Sequence, residues 1–335
     1  MSINKTIIPA RMHAAVISRL NGKTAATAKP VYSSQDPYGP NGGTFIRNSN
    51  CWINGITNIS CFSPAQLSGA NWRVTAGTLI TPKHVLFARH FIPAIISGGT
   101  PLIFVDENNN VVRRKLIQIT SAGHTDISVG LLESDVSPNI KIAKVLPKNY
   151  SDFIDFYSVP VVYGVGLDQQ EKALVFSLSQ ISTSFNVNVG ENIPAPYRDF
   201  SEGLIAGDSG NPAFLIVNNE LVVMTTWWTG GAYGGGGPFV SNTQNYDAIN
   251  QLINDLSPAE GYSLTDVDLT AAATERQLYF NETVDSNWTT LGNWFQDSNF
   301  TTPAGTLPSV FDTPILPWAK SVHRVIGGSG VLSGF

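Results

Sequence analysis

Gly207-Asp208-Ser209-Gly210-Asn211-Pro212 lies between two apolar runs that read as strands. A serine on a tight turn of small residues presents its hydroxyl. The same small residues let the backbone N–H groups of Gly207 and Ser209 face one hollow. Two donors so placed stabilise the oxyanion formed when a hydroxyl attacks a carbonyl. Glycine, aspartate and serine are also ordinary turn residues. The chemistry therefore needs a base and a carboxylate from elsewhere in the chain.

Five histidines are available: His13, His84, His90, His124 and His323. His90 stands where an apolar run over 84–88 ends, after a strand over 77–80 and the turn Thr81-Pro82-Lys83. His124-Thr125-Asp126 opens the apolar run 127–132, which puts Asp126 at the head of a strand. A carboxylate there accepts one imidazole N–H and leaves the other ring nitrogen to take a serine proton. His84, in mid-strand, and His124, two residues before Asp126, read as structural or rim residues. The rival carboxylate, Asp106, falls in Asp106-Glu107-Asn108-Asn109-Asn110, which reads as an exposed turn between strands over 102–105 and 111–117.

In the order His, Asp, Ser, these segments resemble the trypsin/chymotrypsin-like serine peptidases. Other hydrolases carry the same three groups in other orders. Asp126 follows His90 by 36 residues, and Ser209 follows Asp126 by 83. The resemblance covers residues 45–258 and is carried by three short blocks. It implies an all-β fold, a double antiparallel β-barrel (chymotrypsin-like) over 45–145 and 146–258, with the site between the barrels. A C-terminal helix over 246–256 closes that domain, and a β-rich tail is appended. By the same resemblance His90 is general base, Asp126 its orienter and Ser209 the nucleophile, with Gly207 and Ser209 as oxyanion donors. Thr226, Trp227 and Trp228 fall on the wall of a specificity pocket whose base is Gly203, next to Leu204. No acidic residue occupies that base, although Glu202 is one step away, so a small or apolar substrate side chain is expected. Phe91 and Thr75 stand where many members of the family carry a bridged cysteine pair. Arg89 precedes the histidine where a small residue is usual, and Asn211 replaces a common glycine.

The elements that must hold these groups follow from the rest of the chain. With 335 residues, of which 13% are charged, there is ample material for a β-rich core with uncharged polar turns. The net charge of −5 is mild, and no basic cluster exceeds Arg113-Arg114-Lys115, which reads as strand rather than phosphate contact. No nucleic-acid partner is expected. Residues 1–44 read as an N-terminal arm, an extended stretch or short helix followed by a loop over 30–43. Ala14-Ala15-Val16-Ile17 is interrupted by Arg19, so neither a classical signal peptide nor a membrane span is read here. The location is left open, with an extracellular or particle-associated one favoured. Second-barrel strands are expected over 159–163, 173–178, 213–217 and 222–228, and the glycine-rich stretch 230–237 as a flexible pocket rim.

Cys51 and Cys61, ten residues apart, are either a hairpin-linking disulfide or two buried thiols. No metal and no cofactor are expected. Residues 259–335 read as a β-rich extension with Trp288, Trp294 and Trp318 as its aromatic core. The sequence thus points to a serine endopeptidase acting on proteins or peptides. Two other readings stand beside it. One is a catalytically silent protein of the same fold, held in a larger assembly through its terminal extensions. The other is a non-peptidic esterase.

Overall fold

The computed structural model describes residues 4–315, apart from 40–42, 69–70, 74–76, 275, 282, 285–289, 306 and 309–311. Thr75, Trp288, Trp318 and His323 lie outside the described residues. The chain is mostly β, and its named strands pair antiparallel with one exception.

Helix α1 (Ile7–Leu20) and the single turn α2 (Ala25–Ala28) precede a hairpin of β1 (Tyr32–Asp36) and β2 (Thr44–Arg47). That hairpin straddles residue 44, so the expected arm is part of the fold. A first seven-stranded sheet follows. It holds β3 (Ala65–Ser68), β4 (Asn71–Arg73), β5 (Thr78–Leu79), β6 (His84–Ala88), β7 (Thr100–Val105), β8 (Val111–Ser121) and β9 (Ile127–Leu132), in the order β4-β3-β7-β8-β9-β6-β5. A second sheet of seven holds β10 (Tyr163–Leu167), β11 (Ala173–Ile181), β12 (Ser184–Asn188), β13 (Pro212–Val217), β14 (Glu220–Thr226), β15 (Thr229–Gly231) and β16 (Gly234–Pro238). Its order is β14-β13-β10-β11-β12-β16-β15. β10 begins at Tyr163 rather than at Val159, since Pro160 has no N–H to give a ladder.

The central strands are apolar without interruption because both of their faces are buried. Side chains alternate across a strand. In β7, Leu102 and Phe104 join a core belonging to the first sheet, while Ile103 and Val105 join a core shared with the second. In β13, Ala213, Leu215 and Val217 enter the second sheet's own core, and Phe214 and Ile216 enter the shared one. α1 bridges these layers. Ile8 and Met12 pack into the second sheet's core, and Ala15, Val16 and Leu20 into the shared core.

Helix α3 (Thr243–Leu256) buries Ile249, Leu252, Ile253 and Leu256, the i, i+3, i+4, i+7 set of one helical face. The Asn242 side chain caps it by accepting from Gln244 N. The short helix α4 (Leu269–Ala273) leads to β17 (Gln277–Phe280), β18 (Trp294–Phe295) and β19 (Thr313–Ile315), a sheet ordered β18-β17-β19 whose β17–β19 pair is parallel. Its core holds Leu278, Phe280 and Trp294, as the reading of Trp294 anticipated.

Of the two alternatives for Cys51 and Cys61, the structure has the buried thiols: residues 51–62 form successive turns rather than a hairpin, and no bridge joins the pair. The Cys51 thiol points at Lys29 O, 3.7 Å away, and burial raises its pKa to about 11; burial raises that of Cys61 further. Asp106 is buried rather than exposed, because its Oδ1 accepts the N–H groups of Asn108 and Asn110, each at 2.8 Å, and so builds the turn. The glycine-rich stretch is not a loose rim but the hairpin β15–β16. A Cβ at Gly236 or Gly237 would collide with the backbone of Phe185 or Thr226, so side chains are excluded by close approach of neighbouring strands.

His84 is structural, as expected. It is fully buried, with Nδ1 2.7 Å from Thr81 Oγ1 and Nε2 3.1 Å from Ser257 Oγ. Desolvation lowers its pKa from 6.5 to about 4; the Glu260 and Asp135 carboxylates oppose this weakly, and the Lys83 ammonium adds to it. The unfolded chain therefore takes up this proton first, and stability falls as pH drops from 6.5 towards 4. Melting temperatures measured from pH 7 to pH 4 should decline less steeply for His84→Gln than for the native protein.

Candidate active site

Strand register brings the first two groups together. β6 and β9 pair so that Ala88 lies opposite Ile127, which places the residues just beyond them side by side at one end of this strand pair. Arg89 N donates to Asp126 O at 3.2 Å, and His90 N to Asp126 Oδ1 at 2.9 Å. The His90 ring sits on a 3-10 turn, Arg89–Phe91, with Nδ1 2.7 Å from Asp126 Oδ2. An ionised carboxylate only accepts, so Nδ1 carries the proton and Nε2 keeps a lone pair. Nε2 lies 2.8 Å from Ser209 Oγ. The hydroxyl is thus aligned to give its proton to the imidazole.

Asp126 has a side chain 10% exposed, against 38% for His90. The carboxylate is shielded while the imidazole remains open to a reacting partner. Arg89 does not disturb this geometry. Its guanidinium turns away to Ala122 O and Gly123 O, at 3.3 and 3.5 Å. His124 is exposed, with Nε2 3.2 Å from Asn245 Oδ1 on α3.

Ser209 is positioned from the opposite sheet, just ahead of β13. Gly210 N donates to Trp227 O at 3.0 Å and Trp227 N to Asn211 O at 2.9 Å, which ties the serine turn to the end of β14. Asn211 N and Nδ2 both donate to Asp208 O at 3.1 Å. Asp208 itself is buried, and its carboxylate accepts Gln169 N at 3.0 Å and Ile205 N at 2.7 Å. The sequence motif gave Asp208 no role; in the fold its carboxylate ties the serine loop both to Ile205 and to the turn at residue 169.

Within this loop the N–H groups of Asp208, Gly210 and Asn211 all have protein acceptors. Those of Gly207 and Ser209 have none among the described residues. Gly207 has φ +103°, a backbone conformation that glycine adopts without steric penalty. Two unengaged amides beside a hydroxyl aligned with an imidazole can stabilise negative charge on a carbonyl under attack.

The expected pocket residues divide. Thr226 and Trp227 are buried, with Trp227 Nε1 donating to Leu167 O at 2.9 Å, so this indole belongs to the core. Trp228 is 54% exposed and lines the surface instead. Gly203 lies against the backbone of Gly231 and Ala232, and Leu204 N donates to Gly231 O at 3.1 Å. The Leu204 side chain is buried against Gly230 and Gly235, which face each other across β15 and β16, and fills the space that those glycines leave. Glu202 is ion-paired with Lys29 and Lys172. Among the described residues there is no group of three or more His, Cys, Asp or Glu side chains arranged to hold a metal ion. No described helix is long and apolar enough to cross a membrane.

No protein-family pattern matches this chain, and no curated protein is significantly similar to it.

Proposed function

We propose that this protein is a serine endopeptidase that hydrolyses peptide bonds through an acyl-enzyme, with the two seven-stranded sheets acting as the paired barrels of a chymotrypsin-like fold. The observation that carries the reading is the continuous relay from Asp126 through His90 to Ser209, at 2.7 and 2.8 Å, beside two amides with no protein acceptor.

In the first half-reaction Ser209 Oγ attacks the scissile carbonyl carbon and its proton passes to His90 Nε2. The carbonyl oxygen gains the negative charge and accepts from Gly207 N–H and Ser209 N–H. As the tetrahedral species collapses, the C–N bond breaks and His90 returns the proton to the leaving amine. Water then repeats the sequence. His90 takes its proton, the new C–O bond forms, and the ester bond to Oγ breaks as Oγ regains a proton. Asp126 stays ionised throughout and stabilises the imidazolium.

The substrate is a protein or peptide in extended form. β15 is the edge strand of its sheet and follows directly on the exposed Trp228, so it offers an edge with which a substrate strand can pair. Leu204, packed over Gly230 and Gly235 of the paired strands β15 and β16, leaves little depth, and Glu202 is already neutralised by two lysines. These features favour a small or apolar side chain at the scissile bond and disfavour lysine or arginine. The aligned relay and the two unengaged amides favour an active enzyme over a silent scaffold of the same fold.

Incubation of the native protein and of Ser209→Ala with a mixed peptide library tests this reading. New peptide termini are expected with the native protein alone, clustered after small or apolar residues. Equal cleavage by both proteins, or by neither, contradicts the proposal.

A further inference from the structure

The turn that joins β10 to β11 lies over the loop that leads into Ser209. Gln169 makes the contact twice. Its N–H donates to Asp208 Oδ1 at 3.0 Å, and its side-chain Nε2 donates to Ala206 O at 2.9 Å. The same side chain covers Gly207, where an added Cβ would stand 2.5 Å from Gln169 Oε1.

The bond to Ala206 O bears on the chemistry through peptide geometry. In a trans peptide the carbonyl and the following N–H point in opposite directions, and the described chain contains no cis bond. Drawing Ala206 O towards Gln169 therefore turns Gly207 N–H the other way. Glycine tolerates both signs of φ, so nothing intrinsic to residue 207 fixes this peptide plane. A flip would cost the backbone little and would withdraw one of the two donors. An external clamp is needed.

The turn carrying Gln169 is well anchored for that task. Asp168 Oδ1 accepts Gln170 N and Lys172 N, each at 2.9 Å. The N-terminal segment runs alongside, with Val31 N donating to Glu171 O at 2.9 Å and Ala173 N to Lys29 O at 2.8 Å. Lys29 and Lys172 meet on Glu202.

We infer that Gln169 is a positioning residue, whose side-chain amide locks the Ala206–Gly207 peptide so that Gly207 N–H stays turned towards an oxyanion beside Ser209. This rests on the serine-nucleophile reading. The N-terminal segment, by holding the turn, becomes part of what keeps the loop competent.

The test uses an alkyl fluorophosphonate on the full chain, so no substrate need be known. Ser209 Oγ bonds to phosphorus, the P–F bond breaks, and the hydroxyl proton goes to His90 Nε2. The phosphoryl oxygen takes the oxyanion's place. Gln169→Met keeps the side-chain length without a donor, and Gln169→Glu keeps the shape with a group that cannot donate at neutral pH. Each variant is expected to show a maximal labelling rate about 10- to 100-fold below native. The half-saturating probe concentration should stay within about threefold, and the pH midpoint of labelling should be unchanged.

A folded variant labelling within about threefold of native overturns the inference. So does a slow variant with a shifted pH midpoint, because the defect then lies in His90 and Asp126. If Gln169→Met fails to fold, Gln169→Glu decides. Failure of both to fold makes the side chain a structural requirement and also overturns the inference. A native protein that does not label at Ser209 overturns the nucleophile reading as well. Labelling of the native protein with no effect of either variant removes the role of Gln169 alone.

Discussion

Ser209→Ala is expected to lower peptide hydrolysis by about four to six orders of magnitude, and His90→Ala by a similar factor. The two losses should not multiply. Ser209 Oγ and His90 Nε2, 2.8 Å apart, act as one unit: without the base the hydroxyl stays protonated, and without the hydroxyl the base has nothing to activate. The double variant should therefore be about as slow as either single one. Residual catalysis would come from substrate alignment and the two backbone donors, which neither substitution removes. Neither side chain is part of an apolar core, so melting temperatures should stay close to native. Rates of peptide cleavage for the three variants, measured beside their melting curves, check this. A large thermal shift would turn the activity loss into a folding effect.

The second large effect is expected from Asp126→Asn, at about 10⁴-fold in turnover. The side chain serves the imidazole and its backbone together. Oδ1 accepts His90 N–H at 2.9 Å while Oδ2 faces Nδ1 at 2.7 Å. Asparagine preserves the first bond with its carbonyl oxygen and then presents an NH₂ to Nδ1. Two donors cannot share that contact, so Nδ1 must become the acceptor and the ring proton moves to Nε2. Nε2 then cannot take the Ser209 proton. The loss should fall on turnover, with KM little changed, since Asp126 is largely shielded and faces the imidazole. Steady-state kinetics with one cleaved peptide distinguish this from damage to the binding surface. A variant with near-native turnover would leave the carboxylate without the orienting role.

Much of this architecture was legible because the central strands are apolar on both faces. The runs at 84–88, 127–132 and 213–217 read as strands, and α3 followed from four apolar residues at helical spacing. The three site blocks were legible for a related reason. Each stands where an apolar run begins or ends, so its place beside a strand could be read from the pattern around it.

What escaped were features decided by distant partners. Arg19 interrupts the apolar pattern of α1, so a helix running from Ile7 to Leu20 read only as an extended stretch or short helix. Its arginines find distant partners: Arg11 meets Asp312 and Ala272 O, and Arg19 meets Asn54 O and Asn219. Asp106 looked exposed because its partners, two backbone amides and the Asn110 side chain, lie within its own polar turn. Adjacent tryptophans at 227 and 228 were assigned one pocket, yet alternation along an extended chain sends one into the core and the other to solvent. Gln169 had no signature at all, being one polar residue in a polar turn.

Mass spectrometry of the native protein after fluorophosphonate treatment at neutral pH bears most directly on the central claim, that Ser209 is an activated nucleophile. One adduct per chain is predicted, on Ser209, and none on the folded His90→Ala protein over the same interval. Labelling at a different residue, or a folded native protein that stays unmodified, would contradict the account.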